Sequence, residues 1–160
     1  MSTYRYHDHS APDRSQLIEV RISLPGGDPV ASEWVWALPL GGDSYRIENV
    51  VVWATEFGLH DEVIAVDLGD GLEVVEVIER RTHLRFTFNL ENLAVVALLD
   101  AQPFRSEISV EHAGHGLFVA NLPDRSAAAA LQGFLEEHAA WFERVDNLGT
   151  ETRWDATLLP

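Results

Sequence analysis

The chain has 160 residues, 46% of them hydrophobic, and its 26 acidic residues against 11 basic ones give a formal net charge of −15. So high an apolar fraction excludes a disordered chain, and no apolar run approaches the ~20 residues that cross a bilayer. The absence of cysteine excludes a disulfide framework and a thiol nucleophile. Because phosphate backbones are bound by clustered cations, the acidic balance predicts no nucleic-acid partner. The lack of a bilayer-spanning apolar run predicts no membrane partner.

The order of patterns along the chain predicts an α+β protein with four segments. Residues 1–16 are polar and lack a signal-peptide pattern, so we expect a flexible arm on a cytoplasmic protein. We predict a small, bent β-barrel-like domain over residues 17–80 and a ferredoxin-like domain over residues 81–147. Residues 148–160 are predicted to form a C-terminal tail in which only Trp154 docks.

The first half is typical of short strands. Alternation of apolar and polar residues predicts a strand over residues 17–24, and a second over residues 33–38 carries Trp34 and Trp36 on one face. Further strands are expected over residues 45–49 and in the apolar, β-branched run 50–55. Five or six short strands in about 65 residues indicate a small barrel or sandwich.

A hairpin is predicted where residues 63–68 and 72–78 flank Gly69-Asp70-Gly71. A two-residue turn at Asp70-Gly71 would set Val66 opposite Val75. We then expect one face to form the core, consisting of Ile64, Val66, Leu68, Val75 and Val77.

The second half changes to mixed periodicity, with the order strand, helix, strand, strand, helix, strand. The helices are predicted over residues 90–101, capped by Asn89, and 127–140, capped by Asp124 or Ser126. Strands are expected over residues 82–88, 107–111, 117–121 and 141–146. This order is that of the split β-α-β, or ferredoxin-like, arrangement.

Four segments of the first half carry distinctive motifs: Glu33-Trp34-Val35-Trp36-Ala37, Pro39-Leu40-Gly41, Tyr45-Arg46-Ile47-Glu48-Asn49 and Gly58-Leu59-His60-Asp61-Glu62-Val63. These motifs resemble those of an uncharacterised bacterial family, a domain of unknown function (family 4265). The resemblance covers most of the chain beyond residue 16. It implies an architecture and no established activity.

The charge pattern suggests a function. Nine acidic residues and no arginine lie between Arg46 and Arg80, interleaved with apolar residues on predicted strands. A surface of this kind fits either a role in solubility or the docking of a basic partner, whose encounter it would accelerate. We predict a non-catalytic protein-interaction domain, with the inhibitor or immunity protein of a basic protein as one version. The expected partner-binding residues are Asp67, Asp70, Glu73 and Glu76.

The rival hypothesis is a small-molecule-binding domain or enzyme that uses the seam between the two halves. Its site residues would be Trp53, His60, His83 and Arg85. No nucleophile elbow or phosphate-binding loop is present, so we predict no catalytic residues and no cofactor. His112 and His115 flank a turn, but two imidazoles lack the third protein ligand of a zinc site, so no metal is predicted.

Overall fold

The computed structural model describes residues 2–5, 14–24, 30–81, 84–146 and 150–155. The chain divides into two compact units, residues 1–81 and residues 82–160. The first unit contains β1 (Ser2–Arg5), β2 (Ile18–Ser23), β3 (Val30–Gly41), β4 (Ser44–Ile47), β5 (Glu62–Asp67) and β6 (Leu72–Glu79). The second contains β7 (Leu84–Asn89), α1 (Leu93–Asp100), β8 (Ser109–Gly114), β9 (Leu117–Leu122), α2 (Arg125–His138), β10 (Trp141–Asp146) and β11 (Thr150–Asp155).

Strands β2 to β6 of the first unit form a closed barrel sheet of five strands, so the predicted barrel is confirmed. Each strand pairs with the next in antiparallel fashion. Because the number of strands is odd, the first and last run in the same direction. The sheet closes through a short parallel pairing of Val20 with Leu72 and of Arg21 with Glu73. Strand β1 adds to β3 in parallel, within the segment predicted to be an arm.

The barrel interior is filled by small and branched apolar side chains. The fully or almost fully buried members are Val20, Ile22, Val35, Ala37, Tyr45, Ile47, Val51, Ala54, Val63 and Ala65. The alternation in β2 places Val20 and Ile22 inside, as predicted. Residues 50–55 were predicted as a strand but form bends and turns. Val51 and Ala54 of this segment belong to the barrel core.

The predicted core face of the β5–β6 hairpin is wrong for four of its five residues. Leu68 and Val75 are 61% and 57% exposed, and Ile64 and Val66 are half-buried on strand positions that alternate with the buried Val63 and Ala65. Only Val77 packs against the core, together with Leu72 and Val74.

Register explains this error. Asp67 pairs with Leu72, so the loop is four residues long, and Val66 lies opposite Glu73 instead of Val75. Two further register shifts leave Val75 and Ile78 of β6 without a partner residue on β5. These are β-bulges, which bend a strand and increase its twist.

The second unit is a five-stranded antiparallel sheet in the order β11-β10-β7-β9-β8. A hydrophobic cluster joins the sheet to both helices, through Phe86, Phe88 and Phe142 on the strands, Leu99 on α1, and Leu131 and Leu135 on α2. Strand β10 has its predicted bounds. Strand β11 pairs with β10 along all six residues, in the segment predicted to be a tail.

The helix caps agree with prediction for α2 and differ for α1. Asp124 caps α2, its side chain accepting a hydrogen bond from the Ala127 amide. Helix α1 begins three residues later than expected, because Asn92 and not Asn89 is its cap and accepts from the Ala94 amide. Among the described helices, none has the length and apolar character required to span a bilayer.

Candidate functional site

The four predicted partner-binding carboxylates lie on or beside the β5–β6 hairpin. Asp67 ends β5, Asp70 lies in the loop, and Glu73 and Glu76 lie on β6. Asp67, Asp70 and Glu76 are exposed, whereas Glu73 is only 8% exposed. The residues are therefore close along one hairpin but differ in their access to solvent.

Arg21 of β2 binds two of these four carboxylates. Its Nε lies 2.5 Å from Glu73 Oε2, and its Nη1 and Nη2 lie 2.7 and 3.1 Å from the two carboxylate oxygens of Asp70. The guanidinium also lies over the ring of Trp34, 5.6 Å from its centroid. These hydrogen bonds and the adjacent positive charge lower the pKa of Asp70. Arg21 therefore compensates the negative charges of Asp70 and Glu73, and these two carboxylates do not belong to an uncompensated acidic patch.

Other acidic residues of the interval 46–80 are also matched by flanking arginines. Arg46 Nε lies 2.5 Å from Glu48, and Arg81 contacts both Glu62 and Glu79 at 3.2 Å. Among the described residues, no guanidinium contacts Asp67 or Glu76. These two carboxylates carry the negative charge that the hairpin presents to solvent.

Three large apolar side chains that lie within two residues of these carboxylates in the sequence are exposed. Leu68 is 61% exposed, Val75 57% and Ile78 50%. We call Asp67, Leu68, Val75, Glu76 and Ile78 the hairpin surface. Sequence reasoning missed its apolar members, because the alternation assigned Leu68 and Val75 to the core. The signal that was available is the Gly69–Gly71 pair, which permits a longer loop.

The rival set of Trp53, His60, His83 and Arg85 is divided between the two units. Trp53 and His60 belong to the first unit. Trp53 is half-buried, and His60 has a positive φ of 69° and an Nε2 that lies 3.7 Å from Glu48. Arg85 lies on β7 of the second unit and is only 7% exposed, while His83 lies outside the described residues. A site formed by these residues stays a prediction.

Motif residues in the first unit have structural roles. Asn49 accepts a hydrogen bond from the Trp36 amide at 2.6 Å and donates one to the Val50 carbonyl. The buried Asp61 accepts from the amides of Gly58 and Arg81, both at 2.9 Å. These contacts hold the segment between β4 and β5 against the barrel.

Of the three buried polar residues described in the second unit, the sequence pointed to Arg85 but not to Glu111 or Asn121. Arg85 lies opposite Asn121 in the β7–β9 pair, and Glu111 lies on the neighbouring strand β8. Asn121 is 4% exposed and Glu111 3%. Neither amide atom of Asn121 has a hydrogen-bond partner within the described part of the chain.

His112 lies on β8, and His115 lies in the turn that follows that strand. The His112 ring stacks on Phe118, with 4.4 Å between centroids and an interplanar angle of 9°. His115 occupies a turn position with a φ of 51°. Within the described residues, no group of three or more His, Cys, Asp or Glu side chains is arranged to hold a metal ion.

Comparison with known proteins bears on the fold. No protein-family model and no curated protein matches the chain. A solved structure of a hypothetical protein from Neisseria gonorrhoeae is similar, with a TM-score of 0.56 and 14% sequence identity. The similarity covers 82% of this chain and 88% of that one. At this identity the likeness shows a common fold alone.

Proposed function

We propose that this protein is a non-catalytic protein-interaction domain that binds a basic protein through the hairpin surface. The observation that carries the proposal is that the same hairpin exposes Leu68, Val75 and Ile78 and two carboxylates that no described guanidinium contacts. Exposed apolar groups bordered by charge are typical of interaction sites. The first unit has fifteen acidic residues and six arginines, a formal charge of −9, which favours a cationic partner.

The two kinds of side chain have different roles in this proposal. Asp67 and Glu76 attract and orient a cationic partner, which raises the association rate at low salt. Leu68, Val75 and Ile78 are then covered, and the removal of their apolar surface from water slows dissociation. Asp70 and Glu73 keep the hairpin bound to Arg21 and act as positioning residues.

An inhibitor or immunity protein is the more specific form of the proposal. Such a protein covers a cationic active site, for example that of a nuclease, and needs an acidic surface without chemistry of its own. The net charge of −15 and the exposed acidic hairpin fit this role. We place this activity in the cytoplasm.

Capture from the native cell followed by kinetics tests the proposal. The double variant Asp67→Lys, Glu76→Lys is compared with Glu107→Lys, Glu136→Lys, which makes the same charge change at exposed positions of the second unit. We expect the hairpin variant to lower the association rate of the captured basic protein by about tenfold or more at low salt. The control should retain most of the wild-type rate. Equal rates for the two variants across a salt series would contradict the proposal.

A third variant tests the apolar contribution separately. Leu68→Ser with Val75→Ser alters two side chains that are already more than half exposed, so the fold should be retained. We expect faster dissociation with a nearly unchanged association rate. An unchanged dissociation rate would remove these side chains from the interface.

We also propose a finer description of the fold. The order β10-β7-β9-β8, with α1 and α2 following β7 and β9, supports a ferredoxin-like second unit extended by β11. Membership of family 4265 is proposed on the motif residues alone. A crystal structure of this protein and of one family member would test both points.

A further inference from the structure

A cavity lies in the second unit where β7 ends, α1 begins and the β8–β9 hairpin turns. Its volume is about 310 Å³. The lining residues used here are Asn89, Leu93, Val96, His112 and Phe118. A volume of this size is at the lower end of small-molecule sites and suits a ligand with one or two rings.

The apolar wall of the cavity comes from α1 and β9. Leu93 and Val96 are one helical turn apart, so both face the same side of α1. Seven of the eight residues of α1 are apolar, yet only Leu99 is buried, and Leu93 is 85% exposed. A helix that is apolar on all sides is normally covered. The exposure at its first turn is explained if a ligand in the cavity covers Leu93.

The aromatic wall comes from the β8–β9 hairpin. His112 and Phe118 stack with nearly parallel rings. A planar ring placed between this pair and α1 would contact an aromatic surface on one side and Leu93 and Val96 on the other. Offset or edge contacts between aromatic rings add to the free energy gained from burial alone.

One lining residue carries an unsatisfied acceptor. Asn89 Oδ1 is buried and has no hydrogen-bond partner among the described residues, while Nδ2 lies 3.5 Å from the His115 carbonyl oxygen. A buried polar atom without a partner is unfavourable. A ligand that donates one hydrogen bond to Asn89 would remove this penalty. The described residues that line the cavity include Glu91 and no Lys or Arg, and so an anionic ligand is disfavoured.

We propose that this cavity binds a small, neutral heteroaromatic ligand with one ring N–H. The ring packs between His112–Phe118 and the first turn of α1, and the N–H donates to Asn89. This site is in the second unit and does not depend on the hairpin surface of the first. It is also distinct from the rival set containing Trp53, His60, His83 and Arg85.

The test uses indole and 1-methylindole, two probes that differ in the N–H group. Binding to the full chain is followed by two-dimensional amide NMR at millimolar probe concentrations. We expect indole to bind about three- to tenfold more tightly, because one net hydrogen bond corresponds to a ratio of that order. The largest shifts should fall on the amides of Leu90, Val96 and Gly116.

Two variants complete the test. In Asn89→Ala the affinity ratio of the two probes should fall to about one. In Leu93→Ser, a change at an 85% exposed position that preserves the fold, both probes should weaken several-fold while their ratio is retained. Glu136→Gln, at an exposed position of α2 outside the lining, serves as the control. The proposal is overturned if indole does not bind, if its shifts map elsewhere, or if the wild-type ratio is one or persists in Asn89→Ala.

Discussion

Glu33 places a carboxylate inside the barrel, where it is fully buried. Its two oxygens accept hydrogen bonds from the amides of Val52, Trp53 and Ala54 at 2.7 to 3.0 Å. The segment 50–55 therefore obtains from one side chain the hydrogen bonds that a strand would obtain from a neighbour. A buried charge is tolerated only when it is hydrogen-bonded in this way.

Removal of this carboxylate should strongly destabilise the first unit. We expect Glu33→Ala to lower the free energy of unfolding by about 3 kcal/mol or more, because it leaves three backbone donors without an acceptor. Urea unfolding measures the change, with the exposed Glu56→Gln as control. A loss no larger than that of the control would show that the loop does not depend on Glu33.

Asp70 gives a pH-dependent prediction. Because Arg21 holds the pKa of Asp70 below its ordinary value of 3.8, the ionised carboxylate stabilises the fold above that value. The contribution is lost as the pH falls through the lowered pKa. Thermal unfolding should therefore show a gap between wild type and Asp70→Asn near neutral pH that closes below about pH 4. Asp67→Asn, which lacks the arginine contact, should show little gap, and a gap independent of pH would contradict this account.

At the scale of the elements, the loop of the β5–β6 hairpin depends on Gly71. Its φ is 129°, and a Cβ at this position would lie 2.7 Å from the Trp34 ring. Gly69 also has a positive φ, but a Cβ there would meet nothing within 4 Å. We expect Gly71→Ala to lower the free energy of unfolding by about 1–3 kcal/mol through strain. Gly69→Ala should have a smaller effect, because it adds strain without the contact.

Denaturant unfolding and tryptophan fluorescence compare the two glycine variants. Only Gly71→Ala should shift the emission, because only that change displaces Trp34. Equal destabilisation by both substitutions would show that backbone conformation alone determines the effect, and that the close approach to Trp34 contributes nothing.

The same hairpin shows how far alternation alone predicts a strand. Both strands were located within one residue, because β-branched residues and glycines define them. The predicted core face was wrong. The longer loop moves the pairing by two residues, and each of the two bulges then shifts the alternation of β6 by one residue. Bulges such as those at Val75 and Ile78 follow from the bending of a closed sheet, and a local pattern does not contain that information.

In the second unit the local patterns are more informative. Asp124 was one of two predicted caps for α2. It comes shortly before the apolar stripe of the helix in the sequence, which makes it a local signal. Helix α1 was predicted too long because its apolar residues continue through Leu90, which the structure places in the core. The cavity beside α1 was not predicted, because it depends on the distance between a helix and a hairpin turn far apart in sequence.

At the scale of the whole molecule, arginines distant in sequence neutralise part of the acidic patch that the sequence predicted. The interval 46–80 contains no internal cation, but Arg21 is 49 residues from Asp70 and 52 from Glu73 in the chain. Closure of the barrel places β2 beside β6 and so brings the Arg21 guanidinium to these two carboxylates. The local charge composition shows that the hairpin is acidic. Tertiary contacts decide which of its carboxylates have no arginine partner.

The division into two units predicts that each folds by itself. Each unit has its own hydrophobic cluster, and we expect residues 1–81 and residues 82–160, expressed separately, to unfold cooperatively. Core amides such as those of Val35 and Leu131 should keep their chemical shifts from the full chain. A fragment with the narrow spectrum of an unfolded chain would show that its core is insufficient alone.

Five strands in succession also determine how the barrel can be re-engineered. With an odd count, the start of β2 and the end of β6 lie at opposite ends of the barrel, although the two strands are neighbours. A circular permutant that joins them needs a connector running the length of a strand, about 20–26 Å for strands of six and eight residues. A two-residue turn can join antiparallel neighbours of such a meander but is too short to join the end of β6 to the start of β2.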